Sequence, residues 1–148
     1  MKKFLKQCFA IVTALSASAC CTGLMTVSAA TPVSTTVSPG VVLTGSLANS
    51  WYNPSSGVYI YTVTASSVLS GASPSSGNWY LLTGLHLDEY STGALIQSNY
   101  VTGGSKVTPV NASVTVNRRN IQAKAFGSHE VRGAYSGGVY TSYGPFYI

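Results

Sequence analysis

Past residue 30, the side chains able to do acid–base or metal chemistry are Asp88, Glu89, Glu130, His86 and His129. Hydrolysis by paired carboxylates needs two acids facing each other across the scissile bond. Asp88 and Glu89 are chain neighbours, so on a strand their side chains point to opposite faces, and only Asp88 with Glu130 is left as a pair. Gly127-Ser128-His129-Glu130 holds the residue types of a nucleophile and its base. Consecutive residues do not reach triad geometry, however, and no Gly-x-Ser-x-Gly elbow occurs. The segment reads as an exposed polar turn. His86 and Asp88, at i and i+2, share a strand face and could form half of a metal site. A zinc site needs further His or Cys ligands, and this part of the chain has one other histidine and no cysteine. Gly103-Gly104-Ser105-Lys106 lacks the spacing and the helix of a phosphate-cradling loop. The expectation is a non-enzymatic protein with no catalytic residue, metal or cofactor.

Binding chemistry is better supplied. Lys106, Arg118, Arg119, Lys124 and Arg132 are the only cations past residue 30, and all lie in the C-terminal half. Arg118, Arg119, Lys124 and Arg132 are the candidates for contact with an anionic group, such as a cell-wall polymer, a phosphate-bearing wall precursor or an anionic membrane surface. Tyr135, Tyr140 and Tyr143 are the candidates for an aromatic contact surface. Against three acids, five cations leave a net charge of only +2 in this part, although the whole chain carries +5. That field is too sparse for nucleic acid.

The difference in charge belongs to the first thirty residues. Lys2, Lys3 and Lys6 precede the apolar run Phe9 to Leu15, and Val27-Ser28-Ala29-Ala30 offers the small residues that a signal peptidase reads. Residues 1–30 are therefore expected to be an export signal, cleaved near Ala30 or Thr31. Cys8, Cys20 and Cys21, the only cysteines, would leave with it, giving a secreted domain without thiols. Ala17-Ser18-Ala19-Cys20 also resembles a lipoprotein site, with Ala17 where a larger aliphatic residue is usual. Retention on the cell surface through a lipid on Cys20 is the alternative to release.

The elements that must position these residues are strands. Tyr, Val, Thr, Ser and Gly dominate past residue 30, while Leu, Lys and Glu are scarce, which is strand and turn chemistry. Residues 31–40, rich in Thr, Ser and Pro, read as a flexible lead into one domain over residues 41–148. Val41 to Leu47 is the first expected strand. Gly57 to Ala65, after an Asn53-Pro54-Ser55-Ser56 turn, is apolar on both faces and should be central. Ser70 to Asn78 is a loop. Trp79 to Glu89 and Ala94 to Val101 form a strand pair about the Ser91-Thr92-Gly93 turn, with odd-numbered Trp79, Leu81, Leu85 and Leu87 facing inward. Val110, Ala112, Val114 and Val116 alternate strictly. Beyond Asn117-Arg118-Arg119-Asn120 the apolar phase switches to Ile121, Ala123 and Ala125, so a turn must intervene with both arginines exposed. Gly127 to Gly133 reads as a turn, and Tyr135 to Ile148 as one or two strands broken at Gly137-Gly138 and Gly144-Pro145. About eight short strands without a helical period predict an all-β fold, an antiparallel β-sandwich after the signal helix.

Ser98-Asn99-Tyr100, Gly104-Ser105-Lys106, Ala123-Lys124-Ala125-Phe126-Gly127 and the ending Phe146-Tyr147-Ile148 together resemble the lactococcin 972-like bacteriocins over residues 98–148. The resemblance implies a small, secreted, cysteine-poor β-sandwich that interferes with wall synthesis at the division septum by binding a lipid-linked wall precursor. It carries over no functional residue. The functional expectation is a secreted protein that binds at a bacterial cell envelope. A diffusible bacteriocin of that kind and a self-associating structural surface protein are the alternatives.

Overall fold

A computed structural model describes residues 26–55 and 58–148. The expected signal segment lies outside them except at its end, where Thr26–Ala29 form a first strand. The described residues are all-β, in two antiparallel sheets. The strands are β1 (Thr26–Ala29), β2 (Val33–Ser38), β3 (Val41–Ser55), β4 (Val58–Ser70), β5 (Trp79–Glu89), β6 (Leu95–Thr102), β7 (Val110–Asn117), β8 (Gln122–Gly133) and β9 (Gly137–Tyr147). The first sheet runs β3-β4-β7, with β1 and β2 end to end along the free edge of β3, opposite Ala48–Trp51 and Val41–Gly45. The second sheet runs β6-β5-β8-β9. The sheets pack face to face, β3 over β8 and β9, β4 over β5 and β8, and β7 over β5 and β6.

Period-2 patterning explains the packing. On β7, Val110, Ala112, Val114 and Val116 are buried and the residues between them exposed. On β5, Trp79, Leu81, Leu85 and Leu87 are buried, as alternation predicts, and Thr83 shares their face. The strand Gly57 to Ala65 was expected at the centre of a sheet, and β4 does lie between β3 and β7. The outer face of the first sheet carries paired hydroxyls in place of charges. Thr62 lies against Thr115 at 3.2 Å, Thr64 against Ser113 at 2.9 Å, and Ser34 against Thr44 at 2.8 Å. Such cross-strand pairs each contribute roughly 0.2–1 kcal/mol.

Three expectations are corrected. Residues 31–40 are not a flexible lead: the β-branched Val33, Thr35 and Val37 support strand β2, and Val37 packs on the core. Gly127 to Gly133 is not a turn but the second half of β8. Gly137-Gly138 and Gly144-Pro145 do not break the C-terminal segment, which is the single strand β9 with a register shift opposite Ala123–Ala125. Glycine marks close packing at these places. A Cβ on Gly127 would stand 2.4 Å from Thr141 Oγ1 and 2.7 Å from His129 Nε2.

The core is divided. One apolar cluster contains Leu47, Val63, Leu85, Leu87, Val114 and Ile148; the other contains Leu43, Leu69, Trp79, Leu81, Val110 and Val131. Between them lie Ser67, Thr83, His129 and Thr141, all buried. Gly45 makes room for this layer, since a Cβ there would lie 2.2 Å from His129 Cδ2. Gly45→Ala must push a ring that has no free space and is expected to destabilise the fold by about 2 kcal/mol. A urea midpoint measured on the purified protein checks this; a shift within error of zero would show that the ring relocates freely.

Candidate functional site

The buried layer has the look of a catalytic constellation and not its chemistry. Ser67 Oγ lies 2.9 Å from His129 Nδ1, and His129 Nε2 lies 2.8 Å from Thr141 Oγ1. Thr83 Oγ1 is 2.6 Å from Ser67 Oγ and 3.0 Å from the Val110 carbonyl. Ser67 is 0 % exposed and His129 1 %, so no substrate reaches the hydroxyl. The ring's second partner is a hydroxyl, not the carboxylate that would stabilise an imidazolium. Burial lowers the His129 pKa to about 4, so the ring is neutral, with one nitrogen donating and the other accepting. The exposed polar turn expected at Ser128-His129-Glu130 is thereby corrected: on a strand, Ser128 and Glu130 face out and His129 faces in. Its signal was in the sequence, because Ala123, Ala125, Gly127, His129 and Val131 continue one odd-numbered face.

Paired-carboxylate chemistry fails on distance. Asp88 sits opposite Lys124, and Glu130 lies six residues further along β8, about 20 Å away at the rise of a strand. Catalytic carboxyl pairs are separated by about 5–9.5 Å. His86 and Asp88 do share the outer face of β5, but among the described residues no group of three or more His, Cys, Asp or Glu side chains could hold a metal ion. His86 Nε2 instead meets the Tyr100 hydroxyl, with the two rings edge to face at 84°.

The four expected anion-contacting cations do not converge. Arg118 and Arg119 are exposed in the β7–β8 turn, where Asn120 takes the left-handed conformation at φ 55°. Arg118 is engaged: its Nε donates to Asn120 Oδ1 at 2.6 Å, and its guanidinium stands 5.1 Å from the centre of the Tyr59 ring. Lys124 and Arg132 project from the same face of β8 but eight residues apart, about 26 Å. Lys124 Nζ lies 4.9 Å over the Phe126 ring. Arg132 makes a two-pronged pair with Glu130 at 2.8 and 3.0 Å, and that hydrogen bond and charge raise its pKa further.

The aromatic candidates divide as well. Tyr140 is 82 % exposed. Tyr135 packs against the second apolar cluster, its hydroxyl accepting from the Ser73 amide at 3.4 Å, and Tyr143 packs against the first, its ring stacked on Phe146. Neither is a free platform, because β9 turns odd-numbered side chains inward and the 134–136 link folds over the core.

What the structure brings together is a different set. In the second sheet, Tyr100 of β6, Gly84 of β5, Ser128 of β8 and Tyr140 of β9 stand side by side in one row on the outer face. Tyr100, 63 % exposed, leans over Gly84, where a Cβ would lie 2.6 Å from its ring and 2.3 Å from Ser128 Oγ. Of the ten exposed large apolar side chains among the described residues, Tyr80, Leu95, Tyr100, Phe126, Tyr140 and Tyr147 all belong to this face. Singly they would be ordinary; six of the ten stand on one face. Beside Tyr140 a groove of about 570 Å³ is lined by Ser128, Glu130, Arg132, Ser136 and Gly138. Sequence reasoning missed Tyr100 and the groove because their neighbours come from other strands. Comparison of the chain with protein-family models, with curated proteins and with solved structures finds no match.

Proposed function

We propose that this chain is an exported, non-enzymatic β protein that binds at a bacterial cell envelope, and that it does so through the outer face of its second sheet. The leader-like start and the hydroxyl-rich, charge-poor first sheet suit a protein working outside the cell. The observation that carries the reading is the row Tyr100–Gly84–Ser128–Tyr140: the Tyr100 ring lies over Gly84, and beyond it Ser128 borders the groove that the exposed Tyr140 ring walls. Tyrosine suits such a surface because it offers an apolar ring and a polar edge at low conformational cost.

The test is co-sedimentation of the exported protein with purified Gram-positive-type cell walls. Wild type is expected in the pellet. Tyr100→Ala/Tyr140→Ala should weaken binding at least about tenfold, the scale of losing central aromatic contacts. Arg118→Ala/Arg119→Ala should change it less than about twofold, as for peripheral charges. Wild type left in the supernatant, or a double tyrosine variant that pellets like wild type, would overturn the reading.

A further inference from the structure

We infer that the ligand of this face is an uncharged glycan strand, lying across the sheet from Tyr140 to Tyr100, with a sugar seated in the groove beside Tyr140. The inference rests on the proposal that the outer face of the second sheet is the binding surface, and names the class of ligand it takes.

Charge is the first argument. Arg132 is neutralised by Glu130, and Lys124 stands in register with Asp88. The face therefore carries cations and anions in equal number, and a polyanion approaching it meets no net attractive field. Arg118 and Arg119 at the β7–β8 turn and Lys106 in the β6–β7 link have no acidic partner among the described residues and lie off this row.

Hydrogen-bonding capacity is the second. Arg132 uses Nε and Nη2 on Glu130, which leaves the Nη1 hydrogens and one on Nη2 to donate outward, while both Glu130 oxygens keep lone pairs. Ser128 and Ser136 add hydroxyls that donate or accept. A sugar's adjacent hydroxyls donate and accept at once, so a fixed donor fork beside a fixed acceptor suits them better than it suits a phosphate, which only accepts.

Shape is the third. Gly138 stands opposite Glu130 on β9, between Tyr140 and Ser136; the missing side chain makes the groove, and the Tyr140 ring forms its wall. A pyranose presents an apolar C–H face to such a ring while its hydroxyl rim reaches Ser128, Glu130 and Arg132. The Tyr100 ring, lying over Gly84, ends the row two strand spacings or about 10 Å from the backbone of Tyr140. A ligand that reaches both rings is longer than a single sugar. His86, meeting the Tyr100 hydroxyl, holds the far ring in place.

The experiment uses the exported protein and three probes: cell walls, the same walls stripped of teichoic acid, and a soluble, neutral hexamer of β-linked N-acetylglucosamine as competitor. Binding is expected to survive stripping, to be competed by the hexamer, and to change less than about twofold when salt rises from about 0.05 to about 0.5 M, because no unscreened charge pair holds the ligand. Gly138→Val, which fills the groove, should weaken binding at least about tenfold; because its Cβ would stand 3.1 Å from the His129 carbonyl oxygen, its urea midpoint is measured first and binding is compared where the variant is fully folded. Arg132→Lys, which keeps the charge and loses the planar fork, should weaken it too. Binding that disappears with the teichoic acid, falls steeply with salt or ignores the hexamer overturns the glycan assignment and leaves the envelope reading standing. Failure of intact walls to bind the protein overturns both.

Discussion

His129→Ala is expected to lower the unfolding free energy by about 4 kcal/mol, which for a domain with a total of about 5–15 kcal/mol would remove a large part of its stability. Two losses add. The imidazole leaves a cavity between two apolar clusters that cannot collapse onto it, since Gly45 and Gly127 supply no side chain to fill the gap. Thr141 also loses its partner while Ser67 keeps Thr83, and a buried polar group left unpaired costs about 1–3 kcal/mol. Urea unfolding followed by tryptophan fluorescence measures the change. His129→Gln, which keeps a donor and an acceptor, should recover part of the loss. A His129→Ala midpoint within about 0.5 kcal/mol of wild type would show that the layer holds nothing.

Acidification is expected to produce the second large effect through the same ring. Burial holds the His129 pKa at about 4 in the folded protein, against 6.5 when unfolded. Between these values the unfolded chain binds the proton and the folded chain does not, so protonation favours unfolding. Stability is fully present above pH 6.5, falls as the pH drops toward 4, and is lower by about 3 kcal/mol below that, at 1.36 kcal/mol per pH unit. A protonated ring would have to donate at both nitrogens and carry a charge between the sheets, where its hydrogen-bond partners are two hydroxyls. Unfolding free energies at pH 7.5, 5.5 and 4.0 should trace this slope in wild type. In His129→Gln the slope over that window should flatten, and an unchanged slope would place the acid sensitivity elsewhere.

Both effects arise from a layer whose members the chain keeps far apart. Ser67 and His129 are separated by 62 residues, and nothing local to either marks the other. What was legible was the face each residue occupies. The alternation on β5 and β7 located the core, and the odd phase beyond Ile121 runs unbroken to Val131. Reading Gly127 as a turn ended that phase at Ala125, three inward positions too early. Gly127 is glycine because the second sheet places Thr141 and His129 against its Cα, a demand set by strands β8 and β9 together.

The same division holds for the candidate site. Composition, leader pattern and charge count determined by themselves that this is a strand-rich chain with few groups able to do chemistry, and that past residue 30 its cations cluster between residues 106 and 132. Clustering in sequence did not become clustering in space. A strand rises about 3.3 Å per residue, so Lys124 and Arg132 on one strand are far apart, whereas Tyr100 and Tyr140 share a row because β5 and β8 lie between β6 and β9. Which face a side chain takes is a local, period-2 property that the sequence carries. Which side chains meet across that face depends on strand order and register, and these are fixed only when the two sheets close on their common core.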